Sequence, residues 1–120
     1  MRLFKPPKRT TTVIDRAIRL IEQGWCRGSD IEKAEDGSLR VCVRGALRLA
    51  SGDELFLIHE LYGNASSPPN AAFIDAYDAV NQVAGRRCGA SLTVFNDDLA
   101  RNRRSVISVL REARKALTAK

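Results

Sequence analysis

The clearest strand pattern in this chain surrounds a turn at residues 36–37, whereas most other apolar residues recur at helical intervals. Asp36-Gly37 favours a tight hairpin turn, because glycine tolerates the positive φ that such a turn requires. After the turn, residues 39–44 alternate between aliphatic and Arg or Cys residues, which sends the aliphatic side chains to one face of a strand. Residues 30–34 precede the turn and are the expected partner strand. The pattern predicts helices combined with a small antiparallel sheet.

The residues before and just after this hairpin predict short helices. The first helix begins at Thr12, with Asp15 at a spacing close to that of a capping box, and Gly24 ends it. Its apolar face consists of Ile14, Ala17, Ile18 and Ile21, against which Trp25 folds back as core. A second helix starts at residues 45–47 and breaks at residues 51–52. Asp53 then caps a further helical piece.

The second half of the chain completes the predicted fold. Residues 64–70 form a loop, and the helix that follows ends at Gly85. Its apolar positions are Phe73, Tyr77, Val80 and Ala84. Residues 91–95 are rich in β-preferring side chains and are predicted to pair with the strand at residues 39–43. The fold class is therefore α+β, with about five helices packed on a two- or three-stranded antiparallel sheet.

A basic arm, residues 1–10, is expected to precede a single domain of residues 11–120. The arm contains Pro6-Pro7, which favours extended backbone. The longest apolar runs, such as residues 55–58, are too short to span a bilayer. Three cysteines without close spacing indicate reduced thiols and a cytoplasmic protein.

Charge is segregated along the chain. Residues 1–10 carry four basic and no acidic side chains, and residues 101–120 carry seven basic side chains and one acidic one. The segment between them carries nine basic and thirteen acidic side chains, within a net charge of +6 for the whole chain. Localised positive charge indicates where a polyanion could dock.

The last predicted helix places many of these basic residues on one face. Any of Asn96, Asp97 and Asp98 is expected to cap it. Its apolar face consists of Leu99, Val106, Leu110, Ala113 and Leu117, and the opposite stripe consists of Arg101, Arg104, Ser108, Arg111 and Lys115. The stripe predicts contact with an anionic macromolecule, either nucleic acid, a ribonucleoprotein or an acidic host protein. Lys5, Lys8 and Arg9 of the arm would assist.

A cysteine-dependent hydrolase or transferase is the alternative. Cys42 lies close to a helix N-terminus, which can lower the pKa of a thiol, and would be the nucleophile. His59 would be its base, with Asn96 or Asp97 as the orienting group. A structural role for His59 and burial of Cys42 explain the same residues without catalysis.

No metal or cofactor is predicted. Cys26, Cys42, His59 and Cys88 lack the paired short spacings of zinc modules. The chain also has no glycine-rich phosphate loop.

Three segments together resemble a small uncharacterised domain family of actinobacteria and their bacteriophages: residues 17–28, 42–47 and 94–110. In that family a first helix ends near Gly-Trp, a cysteine precedes Gly-Ala-Leu, and Asn-Asp introduces a final helix containing an arginine. The matching positions are Gly24, Trp25, Cys42, Gly45, Ala46, Leu47, Asn96, Asp97 and one of Arg101, Arg103 and Arg104.

The chain departs from that family pattern in two ways: it lacks the usual glycine before the arginine, and it adds the basic arm. The resemblance implies no activity. It implies a phage or actinobacterial origin, and it leaves a pocket role open for Cys42, Asn96 and Asp97.

Overall fold

The fold is described by a computed structural model for residues 9–52 and 68–119. In these ranges it consists of five α-helices, one π-helical segment and a two-stranded antiparallel sheet, which confirms the α+β class. The helices are α1 (Thr10–Gln23), α2 (Val43–Ala50), α3 (Ala71–Cys88), the single turn α4 (Leu92–Val94) and α5 (Arg103–Thr118). The strands are β1 (Ile31–Lys33) and β2 (Leu39–Val41), and the π-helical segment is Phe95–Leu99.

The predicted hairpin is confirmed. Ile31 pairs with Val41 and Lys33 pairs with Leu39. Gly37 has a φ of 86° in the turn, a conformation that favours glycine. Strand β2 ends at Val41, because Cys42 already caps the N-terminus of α2.

Helix α1 begins at Thr10, two residues before the predicted start, and ends before Gly24 as expected. Its predicted apolar face is buried, together with Val13. A Cβ atom at Gly24 would lie 2.7 Å from the carbonyl oxygen of Leu39, so the chain leaves this helix in close contact with β2. That contact explains why a glycine fits here.

Helix α2 starts at Val43, two residues before the predicted position, and is followed by the expected break at Ser51 and Gly52. The helical piece predicted from Asp53 lies outside the described residues, as does most of the predicted loop at residues 64–70.

The predicted end of α3 is wrong. The helix starts after Asn70, whose side-chain oxygen accepts a hydrogen bond from the amide of Phe73 at 2.8 Å. It passes through Gly85 and stops at Cys88, because Gly89 takes the left-handed conformation with a φ of 67°.

The predicted strand at residues 91–95 is also wrong. Ser91 instead caps the turn α4, and its hydroxyl accepts a hydrogen bond from the amide of Val94 at 3.2 Å. Leu92 and Phe95 are both buried, a spacing of three that suits a helix but would put them on opposite faces of a strand. Packing of these two side chains therefore overrides the local β preference.

The start of α5 differs from the prediction in two respects. Asn102 caps the helix, rather than a residue among Asn96, Asp97 and Asp98. Leu99 is 49% exposed and belongs to the π-helical segment, so it is not part of the α5 apolar face. The other predicted apolar positions of α5 are buried, or half-buried in the case of Leu117.

The hydrophobic core lies between α1, α2, α3 and α5. Its largest fully buried side chains include Ile14, Leu47, Val80 and Leu110, one from each helix. No helix in the described ranges is long and apolar enough to cross a membrane. The buried face of α5 packs against this core, so the opposite face of the helix is exposed to solvent.

Candidate functional site

Helix α5 presents the predicted basic stripe to solvent. Arg104, Ser108, Arg111 and Lys115 are exposed and recur at intervals of three or four residues, which places them on one face. From Arg104 to Lys115 the helix rises about 16 Å. The stripe is therefore a straight row of cations on a helix that is anchored by its buried face.

Arg101 does not belong to this helical row. It precedes the Asn102 cap and lines a separate cleft of about 430 Å³ with Arg27, Arg40 and Arg103. The projection of Arg101 onto the helix face is wrong, because α5 begins only at Arg103. Its exposed guanidinium extends the positive surface beyond the helix N-terminus.

Within the described part of the chain, the predicted contact residues form no ion pairs: Arg101, Arg104, Arg111 and Lys115 have no carboxylate within 4.0 Å. The one acid of α5, Glu112, is instead directed toward α3, where it lies 3.8 Å from Arg86 and 3.7 Å from Arg87. The cations of the stripe are consequently not paired with a carboxylate in the described residues.

A groove between α1 and α5 borders the stripe. The two helices run antiparallel, since Arg114 pairs with Asp15 at 2.6 Å and Arg103 donates to the Glu22 carbonyl at 2.7 Å. The groove has a volume of about 510 Å³, and Arg104, Ile107 and Arg111 line it together with Arg103 and Glu22. Arg103 is thereby held at its rim, a role that the sequence did not indicate.

Of the three predicted contact residues in the arm, Arg9 lies in the described part of the chain. Arg9 is exposed and lies directly before α1. Lys5 and Lys8 lie outside the described residues, as does His59 of the catalytic alternative.

Asn96 connects three segments that are far apart in sequence. Its side-chain oxygen accepts hydrogen bonds from the indole Nε1 of Trp25 at 2.8 Å and from the amide of Val43 at 3.1 Å. Its side-chain nitrogen donates to the carbonyl of Cys26 at 3.2 Å and to Oδ1 of Asp97 at 2.9 Å. A carboxamide offers two acceptor and two donor positions, so all four are filled. Asn96, only 1% exposed, is thus a structural junction.

Cys42 lies near this junction in a protected position. It is 6% exposed, and its Sγ accepts a hydrogen bond from the amide of Gly45 at 3.3 Å. Burial raises the pKa of the Cys42 thiol to about 12, and the nearby carboxylate of Asp30 adds to the rise. The amide at the start of α2 lowers this pKa, but burial outweighs it. At neutral pH the thiol is protonated, which weighs against a ready nucleophile.

A cleft of about 480 Å³ does open beside the junction. Cys42, Asp97, Asp30 and Thr93 line it. The fold therefore places Cys42 and Asp97 at one cleft, which Asn96 does not line. However, Oδ1 of Asp97 already accepts hydrogen bonds from the backbone amide of Gly28 at 3.0 Å and from the side chain of Asn96 at 2.9 Å. These bonds give Asp97 a structural role at the junction.

Gly45 shows why small residues are required here. A Cβ atom at this position would lie 1.9 Å from the carbonyl oxygen of Asp30, a distance that no side chain tolerates. The carboxylate of Asp30 in turn pairs with Arg44. The approach of α2 to the loop before β1 is thus fixed by backbone contact and an ion pair.

The described residues contain no group of three or more His, Cys, Asp or Glu side chains that could hold a metal ion. Cys26 and Cys42 are buried and Cys88 is exposed, all as free thiols. Burial also raises the pKa of Cys26, to about 11, with Glu32 as the next contribution.

The chain matches a known family model. A model described as "Family of unknown function (DUF6197)" matches residues 5–116. No curated protein and no solved structure matches the chain significantly. The match covers both the α5 surface and the Asn96 junction.

Proposed function

The chain belongs to the DUF6197 family of unknown function, and we propose from its surface that it binds an anionic macromolecule through helix α5. Arg104, Arg111 and Lys115 are the main contacts, and Arg101 extends them. The protein acts without catalysis, as an accessory factor for a larger partner. Nucleic acid, a ribonucleoprotein or an acidic protein supplies the negative charge.

The observation that carries this proposal is the row of unneutralised cations on an anchored helix. Exposed side chains used only for solubility are commonly interspersed with charges of the opposite sign. Here the single acid of the helix pairs toward α3, which leaves the outer face positive. Because each phosphate neutralised by such a row releases condensed counterions, binding gains entropy and falls steeply with salt.

Two further elements of the proposal rest on the sequence. Lys5, Lys8 and Arg9 supplement the α5 contacts. The resemblance to actinobacterial and phage domains supports a phage or actinobacterial origin for this chain. The place of action is then the cytoplasm of the host cell, and the partner is a host nucleic acid or protein.

The proposal is tested with matched charge variants. One carries Arg104→Gln, Arg111→Gln and Lys115→Gln; the control carries Arg19→Gln, Lys33→Gln and Arg40→Gln, which removes the same charge from exposed positions outside α5 and leaves the partners of Glu112 in place. Binding is measured by fluorescence anisotropy with labelled duplex DNA, single-stranded RNA and polyglutamate across a salt series.

We expect at least about tenfold weaker binding for the α5 variant, with a salt slope reduced by about 2.7 for three lost phosphate contacts on duplex DNA. The affinity of the control should stay within about twofold of that of the unaltered chain, since salt screens charges that do not contact the probe. Equal losses in both variants, or no binding of any of the three probes at low salt, would show that α5 is not the contact surface. Preference for polyglutamate would identify an acidic protein as the partner.

A further inference from the structure

A second groove lies at the end of the helix bundle where α1 begins. It has a volume of about 420 Å³ and runs between α3 and α5, with Thr10 at its edge. Asp75 and Asp78 line its α3 side, and Ala116 and Leu117 line its α5 side. The groove thus combines an acidic wall with an apolar one.

The two carboxylates are available for a cationic ligand. Asp75 and Asp78 are three residues apart in α3, so they lie on the same face of the helix. Both are exposed, and neither forms a hydrogen bond or an ion pair with another residue in the described ranges. Arg86, which also lines the groove, lies 3.8 Å from Glu112. The acidic wall therefore carries unneutralised negative charge.

We propose that residues 1–8 of this chain occupy the groove. The described chain starts at Arg9, and Thr10 lines the groove, so the point of attachment of residues 1–8 lies next to it. Eight extended residues reach about 25 Å, whereas α3 rises only about 16 Å from Asp75 to Arg86. The arm is long enough to follow the whole groove.

Charge and spacing match the arm to this site. Arg2, Lys5 and Lys8 recur at every third residue. A polyproline-type arm, which Pro6-Pro7 favours, has three residues per turn and therefore presents these cations along one edge. That edge meets Asp75 and Asp78, while Leu3 and Phe4 supply apolar side chains for the α5 wall. The stripe on α5, in contrast, repels the arm.

The proposal goes beyond the anion-binding function and does not depend on it. With the arm in the groove, Lys5 and Lys8 are held by carboxylates of the same chain before any partner arrives. An anionic partner then has to compete with Asp75 and Asp78 for these lysines. The arm also covers Leu117, which is half-buried and packs against the core.

Zero-length cross-linking of the full chain tests the proposal. A carbodiimide activates a carboxylate, a lysine amine attacks it, and an amide forms while the carbodiimide takes up water to become a urea. We expect amide links from Lys5 or Lys8 to Asp75 or Asp78 within one chain. They should be lost in an Asp75→Asn/Asp78→Asn variant and retained in the matched Glu35→Gln/Asp36→Asn variant, which removes two exposed acids from the hairpin.

Mixing labelled and unlabelled protein separates links within a chain from links between chains. Links found only between chains would identify a second copy as the occupant and overturn the proposal. Links distributed equally over Glu35, Asp36 and Asp98, or no link to Asp75 or Asp78, would overturn it as well.

Trypsin gives an independent readout. Cleavage after Arg2 and Lys8 requires the arm to leave the groove, so its rate follows the released fraction. We expect at least about threefold faster cleavage of the arm in the Asp75→Asn/Asp78→Asn variant. The hairpin variant should be cleaved at the rate of the unaltered chain; equal rates in all three proteins would contradict docking of the arm.

Discussion

The side-chain oxygen of Asn96 accepts a hydrogen bond from the indole nitrogen of Trp25 at 2.8 Å, although 71 positions separate the two residues. The same oxygen also accepts from the amide of Val43, which lies in the first turn of α2. One buried carboxamide thus joins the end of α1, the start of α2 and the π-helical segment. Stability, rather than catalysis, is the property that this arrangement most directly controls.

Replacing Asn96 with alanine should destabilise the fold severely. The change leaves a buried amide, an indole N–H and a carbonyl without their partners, and each such loss costs about 1–3 kcal/mol. We expect a decrease of about 3–5 kcal/mol in the free energy of unfolding, measured by urea denaturation with the fluorescence of Trp25, the single tryptophan. As a control, Asn102→Ala removes only the cap of α5 and should cost about 1 kcal/mol. Similar losses in the two variants would contradict a special role for Asn96.

Two glycine substitutions should act in opposite directions. In Gly45→Ala the new Cβ meets the carbonyl oxygen of Asp30 at 1.9 Å, so α2 must move, and we expect a loss of at least about 3 kcal/mol. In Gly85→Ala nothing lies within 4 Å of the new Cβ. Because Gly85 is inside α3, that change should stabilise the protein by up to about 1 kcal/mol. The melting temperatures of both variants, measured by thermal unfolding, test this prediction. An unchanged melting temperature for Gly45→Ala would refute the close approach of α2 to Asp30.

Thiol reactivity should separate the three cysteines. Cys88 is exposed, whereas Cys26 and Cys42 are buried with raised pKa values. With iodoacetamide at neutral pH, we expect alkylation of Cys88 at the rate of a free thiol and at least about 100-fold slower alkylation of Cys42. Mass spectrometry of the folded protein measures the rates, with the urea-unfolded chain as the reference. Rapid, selective alkylation of Cys42 would instead revive the cysteine-dependent enzyme with His59 and Asn96 or Asp97.

Alkaline pH should weaken the fold through the same two buried thiols. Their pKa values rise from 9.0 to about 11 for Cys26 and about 12 for Cys42, so the folded state keeps protons that the unfolded chain releases. The resulting stabilisation is complete below about pH 9 and is lost as the pH rises toward the folded-state values. We expect a Cys26→Ala/Cys42→Ala variant to lose less stability between about pH 9 and 10.5 than the unaltered chain. Parallel pH profiles in urea denaturation would contradict this.

Local chemistry makes part of the fold predictable. Asp36-Gly37 specifies the hairpin because its turn conformation depends on a single glycine. The helical spacing of the apolar residues in α5 correctly predicts that Val106 and Leu110 are buried and that Arg104 and Arg111 are exposed. This prediction needs only the geometry of a helix. The exposure of the basic stripe therefore follows from the order of its residues.

Features that depend on distant contacts could not be predicted. Residues 91–95 have β-preferring side chains, yet burial of Leu92 and Phe95 on one side makes the segment helical. Likewise, the sequence favours Asn96 as a helix cap or an orienting group, because nothing near it in the chain indicates Trp25 and Val43 as its partners. Both outcomes are decided by packing between segments.

The Asn96 junction also has a consequence for synthesis on the ribosome. Trp25 and the first turn of α2 emerge early, but the carboxamide that satisfies them is translated some 50 to 70 residues later. Until it arrives, the indole and the Val43 amide can bond only to water, and burying them is unfavourable. The nascent chain therefore gains the full stability of the contact between Trp25 and α2 only after Asn96 has left the exit tunnel.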